Sequence, residues 1–155
     1  MKAFSAKPWA KLARLSWRER ARLGEALLYL AAAQLALVVI PFHRLTPHLG
    51  APHAQSPETF AAPIQRAQAA RIRRAVQTMS RLVPWDSVCL AQALAAKWML
   101  ARRGMASTLY LGVAYDEQRK LRAHAWLRCG NLWVTGAPQH KKFTIVETFA
   151  PRAKV

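Results

Sequence analysis

From residue 107 to residue 149 apolar side chains recur at every second position, whereas upstream of residue 104 they recur at every third or fourth. That change of period predicts a helical part followed by a sheet. The extended runs are 107–115, 121–129, 132–135 and 143–149, with turns over 116–120 and at Gly130 and Asn131. Connections this short favour antiparallel pairing, so a meander is expected. Residues 64–82 set Ile64, Ala67, Ile72, Val76 and Met79 at helical spacing against Arg66, Arg71, Arg73, Arg74 and Arg81. Residues 84–104 predict a further helix, with Asp86 or Ser87 as its N-cap and Arg102, Arg103 and Gly104 as a cationic last turn and stop. Leu90, Leu94, Trp98 and Ala101 form its stripe, and the many alanines let it lie close against a sheet.

The amino-terminal part has a different texture. Residues 1–22 are polar and basic, and Trp9, Leu12, Leu15 and Trp17 predict a short amphipathic helix followed by a second. Residues 23–42 are the most apolar run, yet it carries Glu25 and Gln34 and ends at Pro41. About fifteen apolar-rich residues remain where a membrane span needs about twenty. A buried core helix is the favoured reading and a membrane-associated helix the alternative. Four prolines and a glycine between 43 and 63 predict a long connection, in which His43, His48 and His53 are solvated loop residues rather than metal ligands. The chain is expected to be one α+β domain over 1–155. Residues 1–63 form a helical part with a proline-rich connection, and 64–155 form the core.

Composition adds a partner. A hydrophobic content of 53% suffices for a real core, and 24 Lys and Arg against 7 Asp and Glu give a formal charge of +17, so an acidic partner or surface is implied. Nucleic acid is disfavoured: neither a zinc finger, an RNA-recognition signature nor an aromatic–basic interleaved strand occurs. Two cysteines, Cys89 and Cys129, without a disulfide framework fit free thiols in a reducing, cytoplasmic compartment.

The candidate chemistry is a Cys–His pair. A cysteine in the first turn of a helix meets free N–H groups and the positive end of the dipole, which favour thiolate. His124, between Ala123 and Ala125 on the second strand, is expected to face that helix and to serve as its base and acid. The Cys89 N–H is the natural oxyanion donor, while Gln92, one turn along, reads as a solvated residue. Cys129, five residues after His124, falls on the opposite strand face and reads as structural. A zinc site from Cys89, His124, Cys129 and His140 conflicts with that alternation and lacks a Cys-x-x-Cys clip, so neither metal nor organic cofactor is expected.

Cys89, Leu90, Ala93, Leu94 and Ala95, then Trp98 to Gly104, then Leu109 to Val113, then Ala123, His124, Ala125 and Trp126 resemble the transglutaminase-like cysteine protease of lasso-peptide biosynthesis. That family is the leader peptidase that trims the precursor peptide before a separate ATP-dependent cyclase closes the macrolactam. The resemblance implies a transglutaminase-like, papain-like fold with Cys89 as nucleophile and His124 as base and acid. It also implies a separate leader-recognition protein and a macrolactam-forming cyclase as partners. In the family an Asp follows the histidine by about a dozen residues and orients it. Here 131–140 contains no carboxylate, leaving Thr135, Asn131 or Gln139 as neutral orienting groups and Glu147 as a more distant acid.

Overall fold

The computed structural model describes residues 11–137 and 140–152; the expected helix around Trp9 begins outside them, and Gln139 lies outside them too. Among the described residues four α-helices accompany one five-stranded antiparallel sheet, an α+β architecture. In chain order they are α1 (Trp17–Val39), α2 (Phe42–Leu49), β1 (Ala51–Pro52), α3 (Pro63–Leu82), α4 (Cys89–Ala101), β2 (Thr108–Tyr115), β3 (Leu121–Cys129), β4 (Leu132–Thr135) and β5 (Thr144–Ala150).

Helix α1 starts at a capping box. The Ser16 hydroxyl accepts from the Glu19 N–H, and the Glu19 carboxylate accepts from the Ser16 N–H. Helix α2 corrects the reading of 43–63 as structureless. Leu45 and Leu49, one turn apart, are buried, and the carbonyl of His43, to which Pro47 cannot donate, accepts the Thr46 hydroxyl instead at 2.9 Å. The missing donor is replaced locally, so the proline does not break the turn. Helix α3 opens with Pro63 in its first turn, where the absent N–H costs nothing.

Helix α4 lies at the centre, between the sheet and the other long helices. Ala91, Ala93, Leu94, Ala95, Ala96, Met99 and Leu100 are all buried, so the expected single stripe is replaced by burial nearly all round. The alanines permit this, because a helix of small side chains can be approached from several sides. Its cap also differs: the helix begins at Cys89, with Val88 as N-cap and no side-chain cap. Its end follows expectation. Gly104 has φ +68°, and the Met105 N–H closes back on the Leu100 carbonyl at 3.0 Å.

The strands order β1-β5-β2-β3-β4. The meander therefore holds through β4, after which β5 crosses back to pair with β2 and β1. Strand β4 is four residues long and leaves little edge to extend, while the far edge of β2 is long. Alternation along β3 separates two environments. Ala125, Leu127 and Cys129 enter the core shared with α1, α3 and α4. His124, Trp126 and Arg128 emerge on the other face, where Trp126 stacks on Tyr110 and Arg128 Nε donates to the Tyr110 hydroxyl at 2.9 Å.

Helix α1 is not the buried helix favoured from the sequence. Ala26, Leu30 and Ala33 are buried, and Glu25 is held by Arg103 at 2.6 Å and Arg102 at 3.2 Å. Leu28, Leu35, Val38 and Val39 stand exposed. One face packs and the other is open.

Candidate active site

Cys89 is the first residue of α4 and half-buried, against the edge of the core. The first N–H groups of a helix lack intrahelical acceptors and carry the positive end of its dipole, so anionic sulfur and an oxyanion are both favoured there. The segment leading into it is held by Gln92. Its Nε2 donates to the Ser87 carbonyl at 2.9 Å, so this side chain fixes the turn before the cysteine instead of facing water. Trp85 Nε1 and Ser87 Oγ are buried without hydrogen-bond partners in the same segment.

Helix α4 is anchored at its other end. Lys97 Nζ, buried, donates to the carbonyls of Ser107 at 2.9 Å and Phe149 at 3.4 Å. Burial lowers its pKa to about 8, with the nearby Cys129 acting in the opposite sense. Cys129 is buried on the same side, its Sγ 3.4 Å from the Ala106 carbonyl, and burial raises its pKa to about 11. It is a protonated thiol at neutral pH and a poor nucleophile. From Lys97 back to Cys89 the helix runs about 12 Å, and from Cys129 back to His124 the strand runs about 17 Å. The α4 carboxyl end leads through Gly104 into the start of β2.

His124 does not face α4, and here the expectation is corrected. Its cross-strand partner is Gly112, and its ring packs against Trp126 at 5.7 Å and Phe143 at 4.9 Å, on the face opposite the helix. Helix-facing positions are taken by alanine. Gly112 makes room for this arrangement: a Cβ there would sit 2.5 Å from the Trp126 ring and 3.0 Å from Phe143 Cβ. No hydrogen bond joins Cys89 to His124 among the described residues. Strand β4 pairs β3 only at Leu127, Arg128 and Cys129. Beside His124 that edge of β3 is consequently unpaired by β4.

The group that holds His124 is the Gly136 carbonyl, 3.3 Å from Nε2. Gly136 stands twelve positions after the histidine, where the resemblance sets an Asp. Donation from Nε2–H to a carbonyl selects the neutral tautomer in which Nδ1 is the free acceptor, able to take a proton. A carbonyl carries no charge, so it stabilises imidazolium less than a carboxylate does. The other orienting candidates are elsewhere. Thr135 is buried opposite Leu127 with its Oγ1 unpartnered. Asn131 is exposed in the hairpin turn beyond Cys129. Glu147 accepts from the His53 N–H at 3.0 Å and the Thr148 N–H at 2.8 Å, and these contacts with the His53 ring hold its carboxyl below the usual range. No residue type advertises a backbone carbonyl; only the count of twelve from His124 points to position 136.

His140 turns its Nδ1 to the Ala137 carbonyl and packs on Trp133, on the His124 side of the sheet, whereas Cys129 is on the helix side. Among the described residues no group of three His, Cys, Asp or Glu side chains converges as a metal site. Away from the cysteine, a cleft of about 460 Å³ between α1 and α3 is lined by Arg18, Arg22, Arg71 and Arg74 with a single acid, Glu19. Desolvation and the neighbouring Arg71 and Arg103 lower the pKa of Arg22, a half-buried cation among like charges.

The site thus consists of a cysteine heading the central helix of an α+β domain and a sheet that carries a carbonyl-held histidine. The family model of the transglutaminase-like superfamily matches residues 28–148, and the chain belongs to that superfamily, which includes cysteine peptidases and transglutaminases. Neither the curated proteins nor the solved structures contain a match to it.

Proposed function

We propose that this protein is a cysteine peptidase that removes the leader from a lasso-peptide precursor in the cytoplasm. The observation that carries the reading is the placement of Cys89 as the first residue of the central helix of a transglutaminase-like domain. In this mechanism the Cys89 thiol gives its proton to Nδ1 of His124. The Cys89 thiolate attacks the carbonyl carbon of the scissile peptide, the oxyanion lies at the α4 amino terminus, and imidazolium protonates the departing amine. Water, deprotonated by His124, then attacks the thioester and releases the new carboxylate and the free thiol. Trp85 Nε1, a buried donor without a partner four residues before the cysteine, supports a second oxyanion contact. Neither metal nor organic cofactor enters this chemistry.

Partners follow from the same reading: the precursor peptide, a separate leader-recognition protein that delivers it, and a macrolactam-forming cyclase that uses the product. The arginine cleft between α1 and α3 supplies a docking place for an acidic partner or leader, with attraction acting mainly on the association rate. Nucleic acid has no role in it.

A second reading is favoured by one observation, the glycine at position 136. With a neutral carbonyl in place of a carboxylate, the domain acts as a weak enzyme or as a scaffold that holds the precursor and the other proteins together. The deciding experiment follows a cognate precursor by mass with wild type and Cys89→Ser, with and without the leader-recognition protein. Release of the leader at one bond by wild type alone supports the peptidase. Silence of both, with binding of the partner retained, supports the scaffold.

A further inference from the structure

We infer that the outward face of α1 docks on an anionic lipid surface, with the helix lying flat in the interface. This goes beyond the proposed peptidase and does not depend on it. Trp17, Leu28, Ala31, Leu35 and Val38 recur at spacings that keep one face of a helix, and Val39 broadens it. Their exposure is unusual for such residues: 70% for Trp17, 73% for Leu28, 62% for Leu35, 74% for Val38 and 66% for Val39. An apolar face of this length on a charged surface marks an interaction site.

The opposite face of the same helix excludes a transmembrane role. Ala26, Leu30 and Ala33 are buried in the core, and Glu25 is held by Arg102 and Arg103 from the α4 end. A helix packed on the domain from Leu23 to Leu37 does not cross a bilayer in this fold, although its length and hydropathy alone would allow it. It can lie in the plane of the interface, where the outer face enters the headgroup and acyl boundary.

Charge selects the occupant. Exposed Arg14, Arg18 and Arg20 stand at the amino end of the stripe, with the Arg18 guanidinium 5.5 Å over the Trp17 ring, and exposed Arg44 follows the carboxyl end. The two acids of α1 are already engaged, Glu19 by the Ser16 cap and Glu25 by the two arginines. Cations at both ends of an apolar stripe headed by tryptophan fit an anionic bilayer, whose headgroups meet the arginines while the acyl boundary takes the leucines and valines. A second copy of the chain fits less well, because pairing would bring together two chains that each carry a formal charge of +17.

The test is cosedimentation of the full chain with vesicles of phosphatidylglycerol and phosphatidylcholine, and with vesicles of phosphatidylcholine alone. The wild type is compared with the double variant Leu28→Gln, Leu35→Gln and with Arg18→Gln, Arg20→Gln. Both pairs are exposed, and unchanged circular dichroism and melting confirm that each variant folds. Expected are binding to the anionic vesicles, weak binding to the neutral ones, and a loss of about tenfold or more in each variant. Equal binding by the leucine variant would overturn the proposal, since attraction by net charge alone would then suffice. So would no binding to either vesicle, or a dimer in solution that the leucine variant dissociates. Loss of an acidic protein partner from the leucine variant, with vesicle binding unchanged, would assign the face to that protein instead.

Discussion

The two faces of β3 are built from alternate residues of one strand and serve opposite ends. On the helix side Ala125, Leu127 and Cys129 are small or aliphatic and meet α4 in an apolar core that also buries the Lys97 side chain. On the other side His124, Trp126 and Arg128 lie among rings and carbonyls, with Arg128 donating to Tyr110, Ser56, Pro57 and Gly130. The first face holds the domain together through burial. The second holds polar groups in fixed positions through hydrogen bonds and ring contacts. Cross-strand alternation lets nine residues do both, and the cost is that the histidine and the cysteine-bearing helix stand on different sides.

Changing one residue on each face separates the two roles. His124→Ala is expected to lower precursor cleavage about a thousandfold while costing about 1 kcal/mol of stability through lost ring contacts. Leu127→Ala, on the helix face, should cost about 3 kcal/mol in denaturant unfolding and leave cleavage per folded molecule unchanged. If Leu127→Ala impairs turnover as much as His124→Ala does, the faces are not separate in function.

Gly136 joins the two properties. Its φ is +72°, and a Cβ would stand 2.6 Å from Trp126 Cβ, 2.9 Å from the Ala125 carbonyl and 3.1 Å from His124 Nε2. Gly136→Ala is expected to cost about 2 to 3 kcal/mol and to displace His124. Gly136→Asp meets the same obstacle, so a carboxylate cannot simply be restored here. A folded and more active Gly136→Asp would show that the loop yields.

Lys97 gives the helix face a pH signature. Its folded pKa, about 8, is below the ordinary 10.5, so the unfolded chain binds more protons between these values and stability rises with pH above about 8. Cys129 acts with the opposite sign: its folded pKa of about 11 exceeds 9.0, and stability falls between them. Unfolding free energy should thus rise by roughly 1 kcal/mol from pH 8 to 9 and then flatten. Lys97→Met should abolish the rise. The smallest effect expected is at Thr135, whose buried hydroxyl has no partner. Thr135→Val should stabilise by about 1 kcal/mol or less, and a loss of stability in the same unfolding assay would show that the hydroxyl is bonded.

Much of this was legible locally. The strands fall within a residue or two of the period-two runs, Gly104 ends α4 with a positive φ, and the odd spacing from His124 to Cys129 sets them on opposite faces. Backbone sterics and side-chain period act over a few residues, so the sequence alone determined these elements, the cysteine near a helix start and the histidine in mid-strand. Tertiary structure decided what those elements meet. It sent β5 past β4 to the open edge of β2, turned His124 away from α4, set Gln92 on the Ser87 carbonyl and Glu147 on His53, and left half of an apolar helix facing outward. It also chose the orienting group. Thr135 and Asn131 have side chains that read as acceptors, but the Gly136 carbonyl belongs to the main chain that every residue shares, and only the path of the folded backbone brings it to the imidazole.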